Sequence, residues 1–104
     1  TPVGDIAEIE AIHNLFGKDS PLISSTKSLT GHSLGAAGVQ ESIYSLIMLN
    51  EGFLCASANI DNIDERISEA NILRKNKPGT FKKVMSNSFG FGGTNACLVF
   101  EALN

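Results

Sequence analysis

The chain has 104 residues, eight Lys and Arg against eleven Asp and Glu, a formal net charge of -3, and 42% hydrophobic and 18% charged residues. That length suits a single domain and the composition is too apolar for general disorder, while the acidic balance offers no electrostatic footprint for DNA or RNA. The longest apolar stretch, around Leu46 to Leu49, is far shorter than the roughly 20 residues that cross a bilayer, so neither nucleic acid nor membrane is expected as a partner.

The chain opens Thr1-Pro2-Val3-Gly4-Asp5, with no Met and no charged leader before an apolar stretch, and is expected to begin inside a longer protein. Asp5 and Glu8 resemble a capping box. Ile6, Ile9, Ile12 and Phe16 then recur at helical spacing, which predicts an amphipathic helix over Ile6 to Phe16 that ends at Gly17. Lys18-Asp19-Ser20-Pro21 is a turn, and Leu22-Ile23-Ser24-Ser25 reads as a short buried strand. A polar loop over Thr26 to Ser33 follows. From Leu34 to Asn50 apolar residues fall on nearly every side, which predicts a helix buried all round and capped by Gly52.

Phe53 to Ala56 suits strand or loop, and Asn59 to Asn71 has no decisive period, allowing one helical turn. Arg74 to Lys83 holds five of the eight basic residues around Pro78-Gly79 and reads as an exposed turn. Lys83 to Ser88 and Ala96 to Phe100 are strand-like and antiparallel, joined by the glycine-rich loop Phe89 to Asn95. Cys55 and Cys97 show no C-x-x-C spacing and are expected as buried free thiols, Cys97 in the core. With only His13 and His32 to join them, a zinc site would need unrelated segments to converge. Gly31, Gly35 and Gly38 lack dinucleotide-binding spacing, and the Gly90 to Gly93 cluster lacks the Lys-Ser/Thr of a P-loop.

Three features could carry chemistry. Lys27-Ser28-Leu29-Thr30-Gly31-His32 puts a cation and an imidazole on one loop before the buried helix. The histidine could stabilise an oxyanion or move a proton, or simply cap the helix. The Gly90 to Gly93 loop could converge backbone amides on an anion, or be only a hairpin turn. Glu41 is a carboxylate in an apolar helix; it either needs a hydrogen bond, cation or metal ion, or lies on a solvent stripe with Gln40 and Ser45.

Taken in order, Lys27-Ser28-Leu29-Thr30-Gly31-His32-Ser33-Leu34-Gly35-Ala36-Ala37-Gly38 and Asn87-Ser88-Phe89-Gly90-Phe91-Gly92-Gly93-Thr94-Asn95 resemble signatures of the β-ketoacyl-acyl carrier protein synthases, the condensing enzymes of fatty-acid synthesis. Thr1 to Asp5 resembles the end of the family's His-Gly-Thr-x-Thr-Pro-x-Gly-Asp motif. Gly38-Val39-Gln40-Glu41 and Met85-Ser86-Asn87-Ser88 are most similar to bacterial synthase I, with synthase II as the alternative. The resemblance implies an α/β thiolase-like fold, of which residues 1–104 form the C-terminal half, a mixed β-sheet with packed helices. It implies decarboxylative Claisen condensation of acyl-acyl carrier protein with malonyl-acyl carrier protein. No cofactor is required, the phosphopantetheine arriving on the carrier protein.

By the same resemblance, His32 is the second catalytic histidine, polarising the malonyl thioester carbonyl, and Lys27 the active-site lysine. Phe91 supplies an oxyanion-hole N–H and a gating ring, Phe89 and Gly92 contact substrate, and Thr1 binds the phosphopantetheine arm. Glu41, Ser86 and Asn87 match positions around a structural monovalent cation. The nucleophilic cysteine and first catalytic histidine belong to parts of the family's sequence not found here, so the chain alone is expected to be inactive. The implied partners are acyl carrier protein, the N-terminal half of the same enzyme and a second copy in a homodimer, in the cytoplasm. The basic cluster Arg74, Lys75, Lys77, Lys82 and Lys83 could touch the carrier protein, although a solvated turn is the simpler account. A non-catalytic partner subunit resembling a chain-length factor, and a free-standing binding module, are the competing readings; retention of Lys27 and His32 favours the enzyme.

Overall fold

The computed structural model describes residues 1–103. Helix α1 spans Pro2–Phe16, not Ile6 to Phe16. Its cap is Thr1, whose Oγ1 accepts the Gly4 N–H at 3.0 Å, with Pro2 at the first helical position. A hydroxyl cap and a proline with φ already helical start the helix early. Asp5 then lies in the first turn, where it meets the positive end of the helix dipole, and Glu8 is not part of a capping box. The turn after α1 is a 3-10 turn over Gly17–Asp19.

The expected strand at Leu22 to Ser25 contracts to one parallel bridge between Ile23 and Ile72. There the Ile23 N–H donates to the Asn71 carbonyl and the Leu73 N–H to that of Ile23. Ser25 cannot extend the ladder because its N–H is taken by the Ser57 hydroxyl at 2.9 Å. The expected polar loop contains a single helical turn, α2 (Lys27–Thr30), closed by Gly31 at φ 76°. A 3-10 turn over Leu34–Ala36 leads into α3 (Ala37–Glu51), which ends at the left-handed Gly52.

Strand β1 (Phe53–Leu54) pairs antiparallel with β2 (Lys77–Pro78). The basic stretch is therefore part of a ladder and not only a turn. Arg74 in particular is structural, its Nη2 donating to the Ile60 and Asp61 carbonyls at 2.7 and 2.9 Å. The permitted helical turn in the irregular region is a 3-10 turn at Glu65–Ile67, beside which α1 packs. Strands β3 (Lys83–Phe89) and β4 (Asn95–Glu101) form the expected hairpin, in register from Lys83 opposite Glu101 to Phe89 opposite Asn95.

Helix α3 lies on this hairpin, chiefly on β3. A Cβ on Gly38 would sit 3.6 Å from Ser88 Oγ, so Ser88 faces α3. By alternation Val84 and Ser86 share that side with their partners Phe100 and Leu98, while Met85, Asn87, Val99 and Cys97 point to the other. Cys97 on that second face is exposed and not in the core, as is its neighbour Val99, and Cys55, outside the hairpin, is half-buried. Among the described residues, Ala37, Ser45 and Met48 on α3 and Ala56 beyond it are buried. On the opposite side of α3, Val39, Ile43, Leu46 and Ile47 are exposed. The helix is thus apolar all round but buried along one stripe only.

Candidate functional site

Helix α2 is too short to persist on its own, since one turn fixes several dihedrals for a single hydrogen bond. It is held from outside. The Lys27 ammonium donates to Glu41 Oε1 on the second turn of α3, which settles Glu41 as an ion-paired, half-buried carboxylate and not a solvent stripe. Glu8 of α1 senses the same pair. Burial pushes its carboxyl above the ordinary value, Asp5 and then Glu41 add like charge in that direction, and the Lys27 ammonium pulls the other way.

His32 lies in the linker between α2 and α3, exposed to solvent. Its Nδ1 accepts the Leu34 N–H at 3.1 Å. A neutral imidazole that accepts at Nδ1 carries its proton on Nε2, so the outward-facing nitrogen is a hydrogen-bond donor. Leu34 has φ 51°, a left-handed conformation that costs a non-glycine residue about 1–2 kcal/mol. The bond to His32 is one of the contacts that hold it there. Strain of this kind, next to a fixed tautomer, is characteristic of a positioned side chain.

The glycine-rich loop is more than a plain turn. It contains a 3-10 turn over Phe91–Gly93 with Gly92 at φ 80° and Gly93 at φ 88°, conformations that favour glycine. The Gly90 N–H donates to the Thr94 carbonyl at 2.6 Å. Among the described residues the Phe91 N–H is not engaged by any backbone acceptor, and the Phe91 ring is fully exposed, 102% of its reference area. Phe89 is also exposed. The contact between Ser88 and Gly38 sets this loop at the end of the hairpin where α3 begins, the end that also bears Glu41 and the His32 linker. Phe89, Phe91 and Gly92 follow Ser88 into that loop, His32 precedes α3 in the chain, and Lys27 is paired with the second turn of α3.

Thr1 is less free than expected, because its hydroxyl oxygen caps α1; the hydroxyl hydrogen remains available to a ligand. Glu41, Ser86 and Asn87 are the residues expected around a monovalent cation; Glu41 is ion-paired with Lys27, and the Asn87 side chain starts from the face of the hairpin opposite to Ser86. Alternation along β3 separates two residues that adjacency in sequence had joined.

The sequence reading missed how α2 is suspended. The Ser28 hydroxyl accepts the Ala58 N–H at 3.0 Å and the Ser57 hydroxyl accepts the Ser25 N–H. No periodicity signals a bond that spans 30 residues; the only hint was Ser28 lying inside the Lys27 to His32 motif. Glu8 was missed for the same reason.

A family described as Beta-ketoacyl synthase, C-terminal domain, matches residues 1–61. The chain is 57% identical over 103 residues to the 3-oxoacyl-acyl-carrier-protein synthase 1 of Escherichia coli K12, a match covering 99% of this chain and 25% of that protein. The Haemophilus influenzae synthase 1 is 55% identical over 105 residues, covering 100% and 26%. A Mycobacterium tuberculosis synthase 2 is 38% identical over 100 residues, covering 96% and 24%. The chain spans about a quarter of the length of these curated relatives.

Proposed function

Since the chain belongs to the β-ketoacyl synthase family, through a thiolase-like C-terminal domain, we propose that residues 1–104 contribute half of the active site of a condensing enzyme of fatty-acid synthesis. The reaction is decarboxylative Claisen condensation of acyl-acyl carrier protein with malonyl-acyl carrier protein. Higher identity to relatives named synthase 1 than to those named synthase 2 supports the synthase I type.

One observation carries the assignment: the Leu34 N–H occupies His32 Nδ1 and leaves the Nε2–H as a donor. Directed at the malonyl thioester carbonyl, that donor stabilises the oxygen on which charge accumulates as the C–C bond to the carboxylate breaks and CO₂ departs. The bond's electron pair becomes the enolate, which attacks the acyl thioester. Lys27, ion-paired with Glu41, supports the environment of the histidine. The Phe91 N–H is free to serve the second oxyanion, with Phe89, Phe91 and Gly92 against substrate and the Thr1 hydroxyl on the phosphopantetheine arm. No other cofactor enters the scheme. The partners are acyl carrier protein, the remainder of the synthase and a second copy of it, in the cytoplasm.

In a full-length synthase carrying this sequence, His32→Ala is expected to reduce malonyl decarboxylation by roughly 100-fold or more, the loss typical of one oxyanion donor, with acylation of the nucleophilic cysteine little changed. Equal loss of both half-reactions would make His32 structural. The isolated 104-residue chain is expected to remain unacylated when incubated with acyl-acyl carrier protein, because neither Cys55 nor Cys97 has a histidine within hydrogen-bond reach. Mass spectrometry of the intact chain reads this directly.

A further inference from the structure

Four successive amides, Cys55 to Ala58, are each taken by an acceptor elsewhere in the chain. The Cys55 N–H meets Met48 Sδ of α3 at 3.4 Å, and the Ala56 N–H donates to Asn76 Oδ1 at 2.8 Å. The Ser57 N–H donates to the Leu73 carbonyl at 2.9 Å, and the Ala58 N–H to Ser28 Oγ of α2 at 3.0 Å. In return the Ser57 hydroxyl accepts the Ser25 N–H, one turn before Ser28. The segment is a strut tied to α3, to the 73–76 segment and to α2. Residues 25 and 28 flank Lys27, so α2 hangs from three points: two serine bonds to the strut and the Lys27 ion pair to α3.

From this geometry we infer that Ser28 and Ser57 are positioning residues for condensation: their crossed hydroxyl bonds set the placement of α2, and with it the placement of Lys27 and His32. The inference rests on the role proposed above for His32. A one-turn helix has no rigidity of its own, and a flexible lysine side chain can follow a drifting helix while the backbone of the His32 linker moves. The serine hydroxyls bond to backbone amides and fix the backbone itself. Loss of either bond leaves a main-chain N–H without its acceptor and lets the imidazole leave its working position. Misplacement by about 1 Å is enough for a loss on the order of 100-fold in rate.

The test uses the full-length synthase carrying this sequence, with Ser28→Ala, Ser57→Ala, Ser28→Thr and His32→Ala compared in the two half-reactions. Ser28→Ala and Ser57→Ala are expected to lower malonyl decarboxylation at least about tenfold. KM for malonyl-acyl carrier protein and acylation of the cysteine should change by less than about twofold. Ser28→Thr, which keeps a hydroxyl, should recover most of the rate. If the alanine variants decarboxylate normally while His32→Ala does not, the positioning role is wrong and the reading of His32 stands. Should His32→Ala itself have no effect on decarboxylation, that reading fails, whatever the serines do. Equal loss of acylation and decarboxylation in the serine variants, misfolding included, also overturns the inference, as does a Ser28→Thr variant no better than Ser28→Ala.

Discussion

A carboxylate in an apolar helix posed the clearest question among single residues, and its answer is an intramolecular ammonium. Lys27 and Glu41 lie 14 positions apart and meet because α2 folds back over the second turn of α3. Glu8 stands close enough to feel both. Its carboxyl is raised in the folded protein, first by burial and then by Asp5, so the folded state holds that proton more tightly than the unfolded one. The stability associated with Glu8 is therefore complete at pH values below the ordinary carboxylate range and is lost as pH rises through the raised value. Glu8→Gln is expected to leave the melting temperature unchanged near pH 4 and to raise it near pH 7. A gain of equal size at both pH values would sink this account. Asp64 runs the opposite way: its exposed carboxyl, hydrogen-bonded by Arg66, is lowered to about 2, so its contribution is present above the usual range and fades only in strong acid.

At the scale of elements, the glycines separate into those the backbone requires and those it merely allows. Gly52 ends α3 at φ 76°, and a Cβ there would come within 2.8 Å of the Gly79 carbonyl oxygen, which lies on the turn after β2. Gly52→Ala is expected to cost about 1–3 kcal/mol, read as a lower melting temperature, because it strains the cap and pushes the β1–β2 ladder away from α3. Gly38 is different. Its φ is not left-handed, and a Cβ would meet Ser88 Oγ at an ordinary 3.6 Å. Gly38→Ala should be neutral or slightly stabilising, since alanine is the better helix former. If the two substitutions had equal effects, the contacts described here would not be the cause. The hairpin and α3 were legible because a β-strand period of two and a glycine cap are local signals. Helix α2 and the start of α1 were not: a one-turn helix has no period, and Thr1 competes with Asp5 as a cap on equal chemical terms.

The whole molecule exposes 7683 Å². A compact monomer of 11.0 kDa exposes about 5,600 Å², so the excess is on the order of the area of a substantial protein interface. Exposed apolar side chains contribute to it, among them Val39, Ile43, Leu46 and Ile47 on α3 and Leu98 and Val99 on the hairpin. A helix that is apolar all round belongs between two layers, and this chain supplies one. The 104-residue chain alone is expected to bind an apolar dye and to self-associate, and Ile43→Glu should improve its solubility. In the full-length synthase the same substitution should prevent folding, because a charge would enter a closed core. Improved solubility in both settings would show that this face of α3 stays open to water in the complete enzyme.

Several properties were determined by the sequence alone, through local patterns: the amphipathic start, the central apolar helix, the glycine loop between two strands, and the ordered motifs that carry the family. Each depends on neighbours within a few residues, where spacing and side-chain type suffice. Tertiary structure alone decided which groups meet. Lys27 finds Glu41, Ser28 and Ser57 tie α2 to a strut some 30 residues away, and Asn87 turns from Ser86. Hydrogen bonds and ion pairs act only over a few ångströms, and only the folded chain brings those partners within that range.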